Sequence, residues 1–149
     1  DVDIDKSTYA NSFEKFEAGT PPIAPVIGFS SSLNFMDEVD TNVINDHEMK
    51  LHDYAYEKLS KFNNIKIYGS NKNKGAIISF NIEGVHNSDL GAILDKKNIA
   101  IRTGHHCCQP LMKHFNVTGT SRISFGVYNT KDDVDYLVDS IHEITKILL

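Results

Sequence analysis

The chain has 149 residues, 40% apolar and 23% charged, which are the proportions of a folded domain and not of a disordered segment. Fifteen Lys and Arg stand against 20 Asp and Glu, a net charge of -5, with no basic run able to follow a phosphate backbone, so nucleic-acid binding is not expected. No stretch approaches the roughly 20 apolar residues needed to span a bilayer, and DVDIDKSTYANSF has no signal-peptide core, so no membrane association is expected.

In chain order, residues 1 to 16 read as irregular, and FEAGTPP (16 to 22) as a loop because of Gly19, Pro21 and Pro22. The following IAPVIGFSSSLNFMDEV is apolar almost all round, which suits a buried or interface helix with Pro25 in its first turn. A polar break is expected from Asp40 to Asn45. From Asp46 to Phe62, Leu51, Ala55, Leu59 and Phe62 recur at helical spacing. IKIY (65 to 68) and GAIISFNI (75 to 82) read as antiparallel strands joined by the loop GSNKNKG, with Ala76, Ile78, Phe80 and Ile82 on one face. Ser88 is expected to cap a helix carrying Leu90, Ile93 and Leu94 and ending at Asn98. IAI (99 to 101) is expected as a short strand.

SRISFGV (121 to 127) alternates, placing Ile123, Phe125 and Val127 on one face and Arg122 and Ser124 on the other. TKDD forms a capping box from Thr130 and Asp133, opening a helix with Val134, Leu137, Val138, Ile141, Ile144 and Leu148 inward. The fold class expected is α/β: from residue 46 on, a two-layer α+β small domain with helices on a mostly antiparallel sheet. Residues 1 to 45 do not complete a domain and look like the end of another one.

Between the last two strands lies RTGHHCCQP (102 to 110), which holds both cysteines. Adjacent cysteines make a poor disulfide staple, because the ring they close is strained, so a reducing compartment is expected. HHCC lacks the paired spacing of a zinc site, and His47, His52, His86, His114 and His142 form no H-x3-H pair, so no metal is expected. A thiolate nucleophile beside Arg102, His105 and His106, at a strand exit where Gly104 permits close backbone approach, is one reading. An inert buried cysteine pair is the other, and composition does not separate them. Arg102 and Arg122 are the only arginines against 13 lysines, which draws attention to a planar fork of donors.

RTGHHCCQPLMKHFNVTGTSRISFGVYNTKDDVDYLV resembles the signature of group II, SufS-type cysteine desulfurases, with R-x-G-H-H-C followed by R-x-S-x-x-x-Y-N-T. FEAGTPPIAPVIGFSSSLNFM resembles the F-E-A-G-T-P segment of the same family, in the same order and at matching intervals. The resemblance implies a homodimeric pyridoxal-phosphate enzyme of the aspartate-aminotransferase fold type I, within the class V aminotransferase-like group. Such an enzyme takes sulfur from L-cysteine as a persulfide, releases L-alanine, and passes the sulfur on for iron-sulfur cluster assembly.

Residue by residue, the resemblance puts the persulfide on Cys107, with His105 and His106 beside it, the substrate carboxylate on Arg122, and Arg102 near the same pocket. Gly19 and Thr20 match the loop that reaches the partner subunit's cofactor phosphate. The family's Schiff-base lysine and its surrounding motif match nothing in this chain. The chain is therefore expected to be the C-terminal part of such an enzyme, residues 1 to 45 being the end of the large cofactor domain and 46 to 149 the small domain, and to be inactive alone. Cys108 stands where the family usually has a small residue, and a buried packing role is expected for it. His86-Asn87-Ser88, without a further histidine, favours a SufE-like sulfur acceptor. A plastid-type organelle, such as the apicoplast or plastid stroma, and a bacterial cytoplasm both fit. The alternative is a non-enzymatic module that accepts a persulfide or docks an acceptor.

Overall fold

The computed structural model describes residues 1–70 and 74–148; positions 71 to 73 of the expected GSNKNKG loop, and Leu149, lie outside the described residues. The chain divides into two compact units, Asp1–Asp40 and Thr41–Leu149.

In the first unit a 3-10 turn at Phe13–Phe16 precedes helix α1 (Ile23–Val39). Pro25 sits in the first turn, where its missing N–H interrupts no intrahelical bond. No side chain of α1 is buried, and Ile23, Val26, Ile27 and Phe29 are all at least 60% exposed. The expected polar break from 40 to 45 shrinks to one residue. Asp40 takes a left-handed conformation with φ of 71°, and helix α2 (Thr41–Leu59) begins at the next residue. Residues 41 to 45 contain no Gly or Pro, so nothing prevents their joining the helix.

The second unit is the expected two-layer arrangement. Its sheet runs in the order β1 (Ile65–Tyr68), β2 (Ile77–Ile82), β4 (Thr120–Ser124), β3 (Arg102–Gly104), with every neighbouring pair antiparallel. Ile78, Phe80 and Ile82 of β2 and Ile123 of β4 are buried on one face, as the alternation of the sequence predicts. Against them pack Leu51, Ala55 and Leu59 of α2, Leu90 and Leu94 of α3 (Asn87–Asp95), and Val134, Leu137, Ile141 and Ile144 of α5 (Lys131–Leu148). Phe80, Leu59, Leu94 and Ile141 are wholly inaccessible, and burying one such side chain contributes about 1.5–3 kcal/mol.

Several boundaries differ from the sequence reading. Phe62 lies beyond the end of α2 but still packs on the core. His86, not Ser88, caps α3: its Nδ1 accepts the Ser88 N–H at 3.3 Å. Asn98 ends that helical segment left-handed, with the Ile99 N–H still bonded to Leu94 O at 3.0 Å. This wrap holds residues 99 to 101 out of the sheet, so strand β3 starts three residues later, inside the motif. Strand β4 stops at Ser124 because Gly126 N–H is captured by Asn129 Oδ1 at 2.9 Å, which turns the chain before Val127. Leu148 is 43% exposed instead of facing the core. The capping box forms as read: Thr130 N–H donates to Asp133 Oδ2 at 2.9 Å, and Asp133 N–H donates to Thr130 Oγ1 at 3.3 Å.

Sequence reasoning missed the 3-10 turn at Phe13–Phe16 and one α-helix. Helix α4 (Gln109–Phe115) follows the cysteines, with Cys108 as its N-cap and Pro110 in its first turn. Asn116 closes it in the left-handed conformation, and the Val117 N–H reaches back to Met112 O at 3.0 Å.

Candidate active site

The motif RTGHHCC straddles the end of β3 and the start of α4. Arg102 is the Cα partner of Arg122 across β3 and β4, Arg122 is the partner of Ser79 across β4 and β2, and Ser79 is the partner of Tyr68 across β2 and β1. Directly opposed residues of antiparallel strands share a face. Tyr68, Ser79, Arg122 and Arg102 therefore form one row across all four strands, on the face away from the helical core. Two like charges in opposed positions repel. The pair is favourable where an anion lies over it.

Arg102 also meets the loop. Its Nη2 donates to Cys107 Sγ at 3.6 Å, and this bond gains strength when the sulfur carries negative charge. The loop itself is tightly wound. Gly104 has φ of 106°, and His106 and Cys107 follow with φ of 54° and 58°. Left-handed backbone costs a side-chain-bearing residue roughly 1–2 kcal/mol, so two in succession need support from their surroundings. Cys107 N–H donates to His105 Nδ1 at 3.2 Å, and Cys108 N–H donates to His105 O at 2.8 Å. The His106 ring sits against β4, with Nε2 2.9 Å from Thr120 Oγ1 and 3.1 Å from Thr120 O. Gly119 is needed beside it: a Cβ there would lie 2.8 Å from the Gly104 carbonyl carbon. Burial, first, holds the His106 ring below its ordinary protonation range; the Thr120 backbone hydrogen bond opposes this, and the charges of Arg122, Arg102 and His105 reinforce it.

A cavity of about 270 Å³ opens over the row of Tyr68, Ser79 and Arg122, closed on its far side by Leu111, Met112 and Phe115 of α4. Phe115 packs on Tyr68 with ring centroids 5.2 Å apart. His106 and Cys108 also line this cavity. The expectation of a buried, inert Cys108 is not met: both cysteines are free and exposed. As the N-cap of α4, Cys108 has its side chain at a helix end and not in a core layer. Of the residues singled out by sequence, the second unit brings together Arg102, Arg122, His105, His106 and Cys107. Gly19 and Thr20 belong to the first unit, where Gly19 has φ of 85° and both are exposed. Thr120, which anchors His106, was not among them; its signal was only its place two residues before Arg122. Among the described residues no group of three His, Cys, Asp or Glu side chains could hold a metal ion, and no helix is long and apolar enough to cross a membrane.

Helices on one face of an antiparallel four-stranded sheet, with an arginine row on the other and a thiol loop beside it, give a mixed α/β architecture shared with pyridoxal-phosphate enzymes of the class V aminotransferase family. The chain belongs to that family: the model for aminotransferase class-V matches residues 1–137. It is 44% identical over 138 residues to a probable cysteine desulfurase of Staphylococcus epidermidis and 43% identical to one of Staphylococcus aureus, each match covering 92% of this chain and 33% of the relative. The apo cysteine desulfurase of Thermococcus onnurineus superposes with a TM-score of 0.83 at 35% identity, over 99% of this chain and 37% of that one. The Escherichia coli cysteine desulfurase CsdA, solved in an S-sulfonic acid form, gives a TM-score of 0.83 at 36% identity, over 100% of this chain and 37% of that one. The chain thus spans about a third of the length of the relatives it matches.

This family is in general dependent on pyridoxal phosphate. The residues lining the Arg122 cavity include no lysine amine to condense with an aldehyde and no carboxylate to pair with a pyridine nitrogen. They do not fit the cofactor.

Proposed function

We propose that this chain supplies the substrate-carboxylate and sulfur-accepting side of a SufS-type cysteine desulfurase, and that Cys107 accepts the sulfur of L-cysteine. The observation that carries this reading is the cross-strand pair Arg102 and Arg122 with Cys107 Sγ 3.6 Å from Arg102. Arg122 offers the bidentate fork that a carboxylate fills. Arg102 donates a hydrogen bond to the sulfur that must attack and so orients it.

In the transfer, the Cys107 thiolate forms an S–S bond to the substrate sulfur, the substrate C–S bond breaks with its electron pair staying on carbon, and that carbon takes up a proton so that alanine leaves. The enzyme keeps a Cys107 persulfide, whose outer sulfur an acceptor protein removes for iron-sulfur assembly. His86, Asn87 and Ser88 at the start of α3 support a SufE-like acceptor. The conformational freedom at Gly19 and the exposure of Thr20 support a role for that loop at the cofactor phosphate of the partner subunit in a homodimer, and the exposed apolar surface of α1 is consistent with such an interface. The matching staphylococcal relatives support a bacterial cytoplasm over a plastid.

In the full-length enzyme with cofactor, alanine release from L-cysteine tests the assignment. Cys107→Ser is expected to abolish it, and Arg122→Lys to raise KM for L-cysteine with a smaller change in kcat. Undiminished alanine release by Cys107→Ser would refute the role of Cys107.

A further inference from the structure

The two histidines of the motif divide the work of the loop between them. Thr120 O is a carbonyl and can only accept, so the His106 proton lies on Nε2, shared between Thr120 O and Oγ1. That leaves Nδ1 as the bare nitrogen. It is buried and has no hydrogen-bond partner among the described residues, so solvent does not reach it in this conformation. A proton placed there would create a cation near Arg122, Arg102 and His105, which the burial of the ring and those charges oppose. His105 is the contrasting case: its residue is exposed, and its Nδ1 accepts the Cys107 N–H.

The anchor of His106 is rigid. Thr120 is 1% exposed, opens β4, and pairs with Gly104 of β3, against whose backbone Gly119 packs. His106 and Cys107 are both held left-handed. Such a conformation persists only where its surroundings over-determine it. The ring of His106 ties the loop to β4, while Arg102 ties the sulfur to β3.

We propose that His106, seated on Thr120, is a positioning residue: a neutral brace that fixes the left-handed turn and thereby holds Cys107 Sγ against Arg102, and not a proton carrier of the reaction. This deepens the assignment of Cys107 as sulfur acceptor and rests on it for its meaning in catalysis. The donor on Nε2 is the functional requirement, which a glutamine amide N–H can supply and an alanine or phenylalanine cannot.

The test uses the 149-residue chain, iodoacetamide as probe, and peptide mapping of Cys107 against Cys108 as internal reference. His106→Ala and His106→Phe are expected to lower the ratio of Cys107 to Cys108 alkylation at pH 7 at least about fivefold, the scale of one lost neutral hydrogen bond. His106→Gln is expected to stay within about twofold of the parent, because it restores the donor. Nitrogen-15 spectroscopy of the parent chain is expected to show the proton on Nε2 and a bare Nδ1. An unchanged alkylation ratio in His106→Ala or His106→Phe, or a proton found on Nδ1, would overturn the proposal. If both replacements fail to fold, the ratio in His106→Gln and the tautomer of the parent decide it: a glutamine variant with a fivefold loss, or the wrong tautomer, counts against. None of these readouts requires turnover. Loss of the brace assignment therefore leaves the sulfur-accepting role, read from alanine release, standing or falling on its own.

Discussion

Arg102 and Cys107 meet across the strand-to-helix loop, with guanidinium Nη2 3.6 Å from the sulfur, and this contact distinguishes two thiols that are both exposed. Cys107 is therefore expected to react with iodoacetamide before Cys108. Replacing Arg102 with Met, which keeps an unbranched, flexible side chain and removes its charge and donors, should slow Cys107 alkylation several-fold at neutral pH and leave Cys108 unchanged. Peptide mapping of a time course reads both rates. A faster Cys108 in the parent chain would place the reactive thiol one residue later.

The close approach of β3 and β4 depends on Gly119. A Cβ there would stand 2.8 Å from the Gly104 carbonyl carbon, 2.9 Å from its Cα, and 2.8 Å from Asn87 Nδ2. Two of these neighbours are backbone, so Gly119→Ala is expected to cost about 1–3 kcal/mol, the usual range for overpacking. Gly91→Ala is expected to cost less, since its contact at 2.8 Å is the Thr103 side-chain methyl, which can rotate away. Urea unfolding of the two variants gives the comparison.

How much of this was open to sequence reading depended on the range of the interaction. Leu51, Ala55 and Leu59 in α2, and Val134, Leu137, Ile141 and Ile144 in α5, carry a helical period that survives folding because each helix buries one stripe. Thr130 and Asp133 form their box because capping is local. Helix α4 escaped because seven residues behind a cysteine N-cap carry no conventional start signal, and its Pro110 reads as a breaker unless its place in the first turn is known. The row Tyr68, Ser79, Arg122 and Arg102 was illegible for another reason. Strand register is fixed by pairings 11, 20 and 43 positions apart (68 with 79, 102 with 122, 79 with 122), and the start of β3 was displaced by the left-handed Asn98. Each arginine could be singled out by its rarity, but their opposition could not.

The helix N-terminus at Lys131 offers a local check. Asp133 is held below the usual carboxylate range, first by the Thr130 backbone N–H. Thr130→Ala removes the hydroxyl that accepts Asp133 N–H, and a loss of about 1 kcal/mol in thermal or urea unfolding is expected for this cap. A change within experimental error would mean that α5 is held by its buried stripe alone.

His106 carries a pH dependence whose sign follows from its burial. The folded ring resists protonation, chiefly through burial and then through Arg122, Arg102 and His105, while the unfolded ring takes a proton near 6.5. Below that value the unfolded state binds more protons than the folded state, so stability falls as pH drops towards the lowered value of the folded ring. His106→Gln should flatten this part of the stability profile between pH 7 and 5. A parent profile that rises as pH falls through this interval would contradict the buried neutral ring.

The sulfur-accepting role of Cys107 is tested most directly by treating the full-length enzyme with L-cysteine, trapping persulfides with iodoacetamide, and mapping the added sulfur by peptide mass. The account predicts one extra sulfur atom on Cys107, none on Cys108, and its loss in Arg122→Ala. Added sulfur on Cys108 alone, or alanine release with no sulfur on Cys107, would contradict it.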